Sequence, residues 1–400
     1  MQNSFFNKVR LLTPGPTPLP ECVRLALAKD MIHHRKQDFR DIMARVQTGL
    51  QTLFGTKEVV LPLSSSGTGA MTSAVYSLFA PGEKVLVVEA GKFGERWTNL
   101  AKARGLTVER LAIPWGKAVN PDDIEARLNE DKSICGVFVQ VSETSTGVLH
   151  PIEKIAAITR KRDCLLVCDG ISAVGLSPCP MDAFGIDCLL TGSQKGLMLP
   201  PGLALIALSQ RAWSKAQVLE PGCFYFDLVA ERKKVLANET HFTTPVNLIA
   251  GLDESLRLLL ENGLEAVYKK QWALTMLTRQ GAKALGLELL AKEHYTWGLT
   301  SILLPEGIDG QKVLAHAQEH FGVCMAGGQD QLKGKIVRIG HMGWVDWADV
   351  LAGLYALDRS LLECSGFSSS RDYLEQAMAA YQTALGGKAG EPLVSVRVRS

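Results

Sequence analysis

The nine cysteines contain no Cys-x-x-Cys pair, and an odd number cannot all be joined. Most lie in apolar stretches such as Cys164-Leu-Leu-Val-Cys168 and Cys188-Leu-Leu. Buried free thiols in a reducing compartment are therefore expected in place of a disulfide framework. Neither sign of charge is in excess: Lys plus Arg is 43, Asp plus Glu is 41, and the formal net charge is +2. Such a balance sets up no global field for nucleic acid or anionic lipid. Runs of about 18 apolar residues, the length a spanning helix needs, are absent, and Met1–Arg10 lacks the apolar centre of a signal peptide. The expectation is a soluble, cytoplasmic chain with no nucleic-acid or membrane partner. Of its 400 residues, 46% are hydrophobic and 21% charged, enough to bury a sizeable core without staples.

Leu11–Pro20 (LLTPGPTPLP) is too rich in Pro and Gly for regular structure and reads as an extended arm. Beyond it, short apolar runs alternate with helix-type segments. The runs are Lys84–Glu89, Thr107–Ile113, Ile134–Val141, Cys164–Cys168, Cys188–Thr191 and Leu203–Leu208. Nearly continuous apolar strands suit a parallel sheet buried on both faces. Alternation with helices such as Asn120–Asn129 and Ile152–Lys161 predicts a doubly wound α/β domain. Leu248–Leu290 reads as mostly helical, and two β-type runs around the helix Gly310–Phe321 predict a smaller α/β domain. The expected organisation is an arm over 1–20, a large domain over 21–255, a small C-terminal domain with a linking helix over 256–364, and a peripheral helix and tail over 365–400. No internal repeat is visible.

Three features carry chemistry. Ser64-Ser-Ser-Gly-Thr-Gly-Ala70 leads into a helix-type segment and so offers backbone N–H groups at a positive helix end. It is neither a Walker loop, since no Gly-Lys-Ser/Thr follows, nor a dinucleotide fingerprint, since Thr72 stands at the third Gly position. Asp169 follows an apolar strand, where ligands gather in open α/β sheets; a simple helix cap is the competing explanation. Lys195, within Thr191-Gly-Ser-Gln-Lys-Gly196, again follows a strand. It is either a solvated charge or a carbonyl-reactive amine able to form a Schiff base. A phosphate cradle, a strand-end carboxylate and an amine are together what pyridoxal 5'-phosphate (PLP) requires.

The sequence resembles the class V, fold-type I PLP-dependent aminotransferases, close to the alanine–glyoxylate and serine–pyruvate group. The resemblance runs from Leu12 to about Leu362. It rests on Thr13–Pro18, His33–Arg35, Ser64–Ala70, Gly91–Trp97, Glu143–Ile152, Cys168–Gly175, Thr191–Leu203 and Val337–Gly343. It implies Lys195 as the Schiff-base lysine and Asp169 as the partner of the pyridine nitrogen. It further implies Ser66, Gly67, Thr68 and Gln194 around the phosphate, Phe93 stacked on the ring, Thr144 near the ring's phenolic oxygen, and Arg338 on the substrate carboxylate. Pro14 and Gly15 would reach the substrate from the arm. Thr243 would contact the phosphate in the neighbouring subunit of a homodimer, although some members carry Tyr at the position of Thr240. The implied reaction moves the amino group of alanine or serine to glyoxylate or pyruvate by a ping-pong route. No second basic side chain presents itself for a distal carboxylate.

Other readings remain at this stage. A cysteine desulfurase needs a nucleophilic Cys on a mobile loop, whereas Cys324 lies in a strand-like run and Gln194, where that branch has His, precedes the lysine. His316-Ala-Gln-Glu-His320 fits an H-x-x-E-H zinc pattern but also an ordinary amphipathic helix, and no metal is expected. A PLP-binding partner protein without turnover would keep Lys195 and Asp169 but has no need of Arg338. His33-His34-Arg35 is structural, at a subunit contact, or lines the pocket.

Overall fold

The computed structural model describes residues 7–220, 222–369 and 372–391. Its centre is a seven-stranded sheet of β1 (Val60–Leu63), β2 (Lys84–Glu89), β3 (Thr107–Ala112), β4 (Ile134–Gln140), β5 (Leu165–Asp169), β6 (Cys188–Gly192) and β7 (Ala204–Leu208). The spatial order is β1-β7-β6-β5-β4-β2-β3, with β7 antiparallel to both neighbours and the other pairs parallel. β1, β4, β5, β6 and β7 are buried at nearly every residue. That burial on both faces explains why most strands read as unbroken apolar runs. β1 did not stand out because it is only four residues long and contains Pro62; an edge position accommodates a residue that donates no ladder bond.

The helices also fall close to expectation. Pro121–Glu130 is capped by Asn120, whose side chain accepts from Asp122 N, and Gly310–Phe321 opens at Asp309 and closes at a left-handed Gly322. A four-stranded sheet of Glu288–Leu289, Leu299–Leu303, Ile336–Gly340 and Ala326–Gly327 carries a second core that includes Ile302, Val313, Val337 and Leu354. The boundary expected at 255 falls inside the helix Val246–Leu260, and Leu256 and Leu259 pack into the first core. The helix Tyr373–Gly386 is not peripheral: Tyr373, Ala377, Ala380 and Ala384 are buried, and small residues at helical spacing let it lie close against Gly263–Ala284. Residues 392–400 of the expected tail and 1–6 of the expected arm lie outside the described residues.

The arm joins the two cores. Arg10–Leu11 pairs in parallel with Val323–Cys324, Leu12 enters the second core, and Gly340 N donates to Leu12 O at 2.7 Å. A few residues on, Thr17 N donates to Gln194 O (3.2 Å) and Thr17 Oγ1 to Lys195 O (3.1 Å). All nine cysteines are free, and no helix among the described residues is long and apolar enough to cross a membrane.

Gly340 is where the arm presses closest. A Cβ there would strike the Thr13 carbonyl and lie 2.8 Å from Pro14 N. Gly340→Ala should therefore cost about 1–3 kcal/mol by overpacking, seen as a lowered melting temperature. An unchanged melting curve would show that the arm is not held there.

Candidate active site

The carboxyl ends of β5 and β6 deliver the two ionisable groups at the centre of the site. Asp169 is the last residue of β5 and is 4% exposed; Lys195 lies three residues beyond β6 and is 9% exposed. Removal from water dominates both. Burial pushes the Asp169 carboxyl up to about 7 and pulls the Lys195 ammonium down to about 8, while the attraction between them works the other way in each. Asp169 Oδ1 accepts from Ile171 N (2.8 Å), its one side-chain bond among the described residues. Lys195 Nζ donates to Pro14 O. Gly15, at φ 115°, is obligatory beside it, because a Cβ there would sit 2.6 Å from Lys195 Cδ and Nζ.

The expected phosphate cradle forms where β1 runs through Ser64–Ser66 into the helix Gly67–Leu78. Ser66 occupies the cap position without a side-chain cap bond, and the first turn holds no acidic residue, so the leading N–H groups stay available. Gly67 tolerates no side chain, since a Cβ would strike Ile171. Gln194 Oε1 is buried without a partner. A Cβ on Gly192 would lie 2.9 Å from that oxygen and 3.6 Å from Gly67 N, which brings Gln194 to the same cradle.

Phe93 is the second residue of the helix Lys92–Arg104, and its backbone is fixed by a carboxylate that the sequence reading gave no role. Glu143 accepts from Phe93 N (3.4 Å), Gly94 N (3.0 Å) and Ser145 N (3.1 Å). Burial raises its pKa, and these bonds oppose the rise. The next residue, Thr144, shares a 2.7 Å hydrogen bond with Ser172, and its carbonyl accepts from Arg338 Nη1 (2.9 Å). Arg338 Nε donates to Gly327 O (2.9 Å). Arg338 thus arrives buried from the second sheet with backbone carbonyls as its hydrogen-bond partners, and its charge lowers the Lys195 pKa.

Hydrogen bonds, close approaches and charge coupling thus link Pro14, Gly15, Asp169, Lys195, Arg338 and Thr144 on one side, and Gly67, Thr68, Phe93 and Gln194 on the other, and Ser66 next to Gly67 is exposed. Thr243 is not brought to them within the single chain; it is exposed and makes no hydrogen bond among the described residues. Thr240 is buried, with its hydroxyl donating to Phe242 O (2.7 Å). Arg35 bonds Glu239 and the His241 carbonyl, so the His33–Arg35 run braces the Thr243 segment. One expectation needs correcting. Arg96 is a second basic side chain in the cleft, with Nη1 donating to Thr68 Oγ1 at 3.0 Å and its guanidinium over the Phe93 ring. Its i,i+3 spacing from Phe93 was the available signal. His316 stacks on His320 and bonds Ser360 Oγ, and Cys324 lies in the strand that pairs with Arg10–Leu11.

A cleft with a buried amine, a strand-end carboxylate and an open helix N-terminus has the donor set that a pyridine ring, an aldehyde and a phosphate require. The class-V aminotransferase family matches residues 13–343. The chain belongs to that family. The aminotransferase is 39% identical to a Synechococcus protein named soluble hydrogenase, small subunit, over 89% of this chain and 94% of that one. It is 34% identical to the serine–glyoxylate aminotransferase of Methylorubrum extorquens (92% and 96% covered) and 33% to the L-aspartate–glyoxylate aminotransferase of Paracoccus denitrificans (93% and 98%). Its structure superposes on the ureidoglycine–glyoxylate aminotransferase of Bacillus subtilis with a TM-score of 0.88 at 28% identity, covering 94% and 98% of the two chains. The fold is that of the fold-type I PLP aminotransferases, and the cofactor is pyridoxal phosphate.

The raised Asp169 pKa has a signed consequence for the cofactor-free protein. Its folded value of about 7 lies above the ordinary 3.8. The folded chain therefore bears no penalty below about pH 4, a growing one from there to about pH 7, and the full one above. Asp169→Asn should stabilise the cofactor-free protein at pH 8, on the order of a few kcal/mol, with a smaller gain at pH 5. Melting curves at both pH values check this, and a gain independent of pH would contradict it.

Proposed function

We propose that this aminotransferase moves the amino group of a small L-amino acid, alanine or serine, to a small 2-oxo acid, glyoxylate or pyruvate. Arg338 carries the reading. It is a buried guanidinium without a carboxylate partner among the described residues, and such a group binds a carboxylate through two parallel N–H bonds. Backbone carbonyls already fix Arg338 Nε and Nη1, so a single α-carboxylate meets an oriented donor.

Bound pyridoxal phosphate supplies an aldehyde that condenses with amines and a protonated ring that draws electrons from the substrate Cα. The Lys195 amine would hold the cofactor's aldehyde carbon, and the free amine would carry the substrate Cα proton as general base and then acid. In the chain alone, burial already pulls the Lys195 ammonium down to about 8, towards the range in which an amine exchanges protons at neutral pH. Asp169 would accept a hydrogen bond from the protonated ring nitrogen, a cationic partner for a buried carboxyl whose one bond in the chain alone is to Ile171 N. Phe93 presents an aromatic face to the ring, with Glu143 fixing the start of its helix. Gly67, Thr68 and Gln194 hold the phosphate beside Ser66, and Thr144 offers a hydroxyl to the ring's phenolic oxygen. Pro14 and Gly15 cover the Lys195 amine, which shields the reacting atoms from water. With one lysine and one carboxylate clamp, donor and acceptor use the cleft in turn, a ping-pong scheme.

Lys195→Ala should abolish transamination, and Asp169→Asn should keep PLP while losing most of the rate. Normal turnover in either variant would refute the assignment. A donor panel should rank alanine and serine at least about tenfold above aspartate and glutamate in kcat/KM, since Arg96, the second basic side chain there, is engaged by Thr68 and the Phe93 ring and a distal carboxylate would be buried without a free partner. A preference for aspartate would overturn the substrate assignment and leave the lysine chemistry untouched.

A homodimer with shared sites completes the reading. Support for it comes from Thr243, which is exposed on a segment that Arg35 braces through Glu239 and His241 and so is free to contact a second copy. Two-fold symmetry makes each subunit both donor and recipient. Mixing Lys195→Ala subunits with subunits disabled at Thr243 should restore activity to roughly a quarter of the wild-type level, because half of randomly mixed dimers carry one intact site. A fully active monomer would end the idea.

A further inference from the structure

Arg96 is half-buried in the cleft and makes no ion pair with a carboxylate among the described residues; its neighbour Glu95 is taken by Lys92. Its Nη1 donates to the hydroxyl of Thr68, in the first turn of the helix Gly67–Leu78. That helix end carries the positive pole of the backbone dipole, and neither an acidic first-turn residue nor a side-chain cap offsets it. A cation and a positive helix end thus converge on one spot; Asp169 attracts Arg96 without pairing with it, and an anion between the guanidinium and the helix end would relieve the repulsion that is left. Gln194 Oε1, buried without a partner, lies at the same spot, and an amide flip would turn the NH2 group inward in its place.

We propose that Arg96 is a phosphate-binding residue of the cofactor cradle, supplying the full positive charge that the backbone amides, Thr68 and Gln194 lack. The guanidinium is pre-set by the Thr68 hydroxyl on one side and the Phe93 ring, 4.8 Å from its centre, on the other. It thereby ties the residue that faces the pyridine ring to the residues that face the phosphate. The competing role, gripping a distal substrate carboxylate, is disfavoured because the bond to Thr68 commits Arg96 to the cradle. Arg338 lies instead with Thr144 and Gly327. This proposal rests on the family's cofactor and not on the alanine or serine assignment, so a different donor preference leaves it standing.

The test compares binding of PLP and of pyridoxal, which lacks the phosphate, to the apoenzyme. Arg96→Leu should weaken PLP by about 10- to 100-fold, the loss of one or two charge-assisted hydrogen bonds, and leave pyridoxal within about twofold of wild type. Retained pyridoxal binding also shows that the variant's pocket is folded. Arg96→Lys should recover part of the lost PLP affinity. Inorganic phosphate should compete with PLP loading in the wild type and less so in Arg96→Lys, a comparison that stands even if Arg96→Leu does not fold. Equal losses for PLP and pyridoxal would overturn the proposal, since Arg96 would then only brace Phe93. Unchanged PLP affinity, with or without a raised KM for aspartate, would overturn it as well.

Discussion

Asp169 and Lys195 are held out of water at the ends of adjacent parallel strands, and the rest of the site answers to that burial. Each is pulled towards neutrality by desolvation and towards charge by the other. The strands supply the position: β5 and β6 pair through Asp169 and Leu190, and both end where an open α/β sheet leaves a crevice. A site set deeper in the sheet could not admit a ligand, and one further out would lose the desolvation that brings a lysine near neutrality.

The surrounding structure manages the consequences. The arm crosses from the second core to cover Lys195 with the Pro14 carbonyl, and Gly15 and Gly340 keep its path free of side chains. Glu143 is a further buried carboxylate, stabilised by backbone N–H groups at the start of the Phe93 helix. It lies close enough to favour the charged form of Arg338. Thr144, one residue on, takes a hydrogen bond from Arg338. The aromatic face, the polar turn and the carboxylate clamp are therefore one connected piece, although they come from three separate stretches of chain.

Much of this was legible in the sequence, for identifiable reasons. Buried parallel strands are apolar throughout, so Lys84–Glu89 falls where its composition puts it. Asp169 and Lys195 follow such strands at positions where polar residues need an explanation. What could not be read was contact through space. Glu143 and Arg96 stand within the stretches that carry the family resemblance, but their roles depend on which backbone groups and hydroxyls face them. The tight fit of Tyr373–Gly386 against Gly263–Ala284 also depends on partners a sequence does not name; its alanines read as an unremarkable surface helix until the facing helix is known. Thr243 sits at the opposite extreme, since one chain cannot display what a second copy would complete.

The central claim is that one buried amine, Lys195, engages the cofactor. Borohydride reduction of the PLP-loaded protein, followed by digestion and mass mapping, tests it directly. The account predicts a phosphopyridoxyl mass on the peptide that contains Lys195 and no label on that peptide in Lys195→Ala. A label on another lysine, such as the half-buried Lys270, or continued labelling of the Lys195→Ala protein, would contradict it.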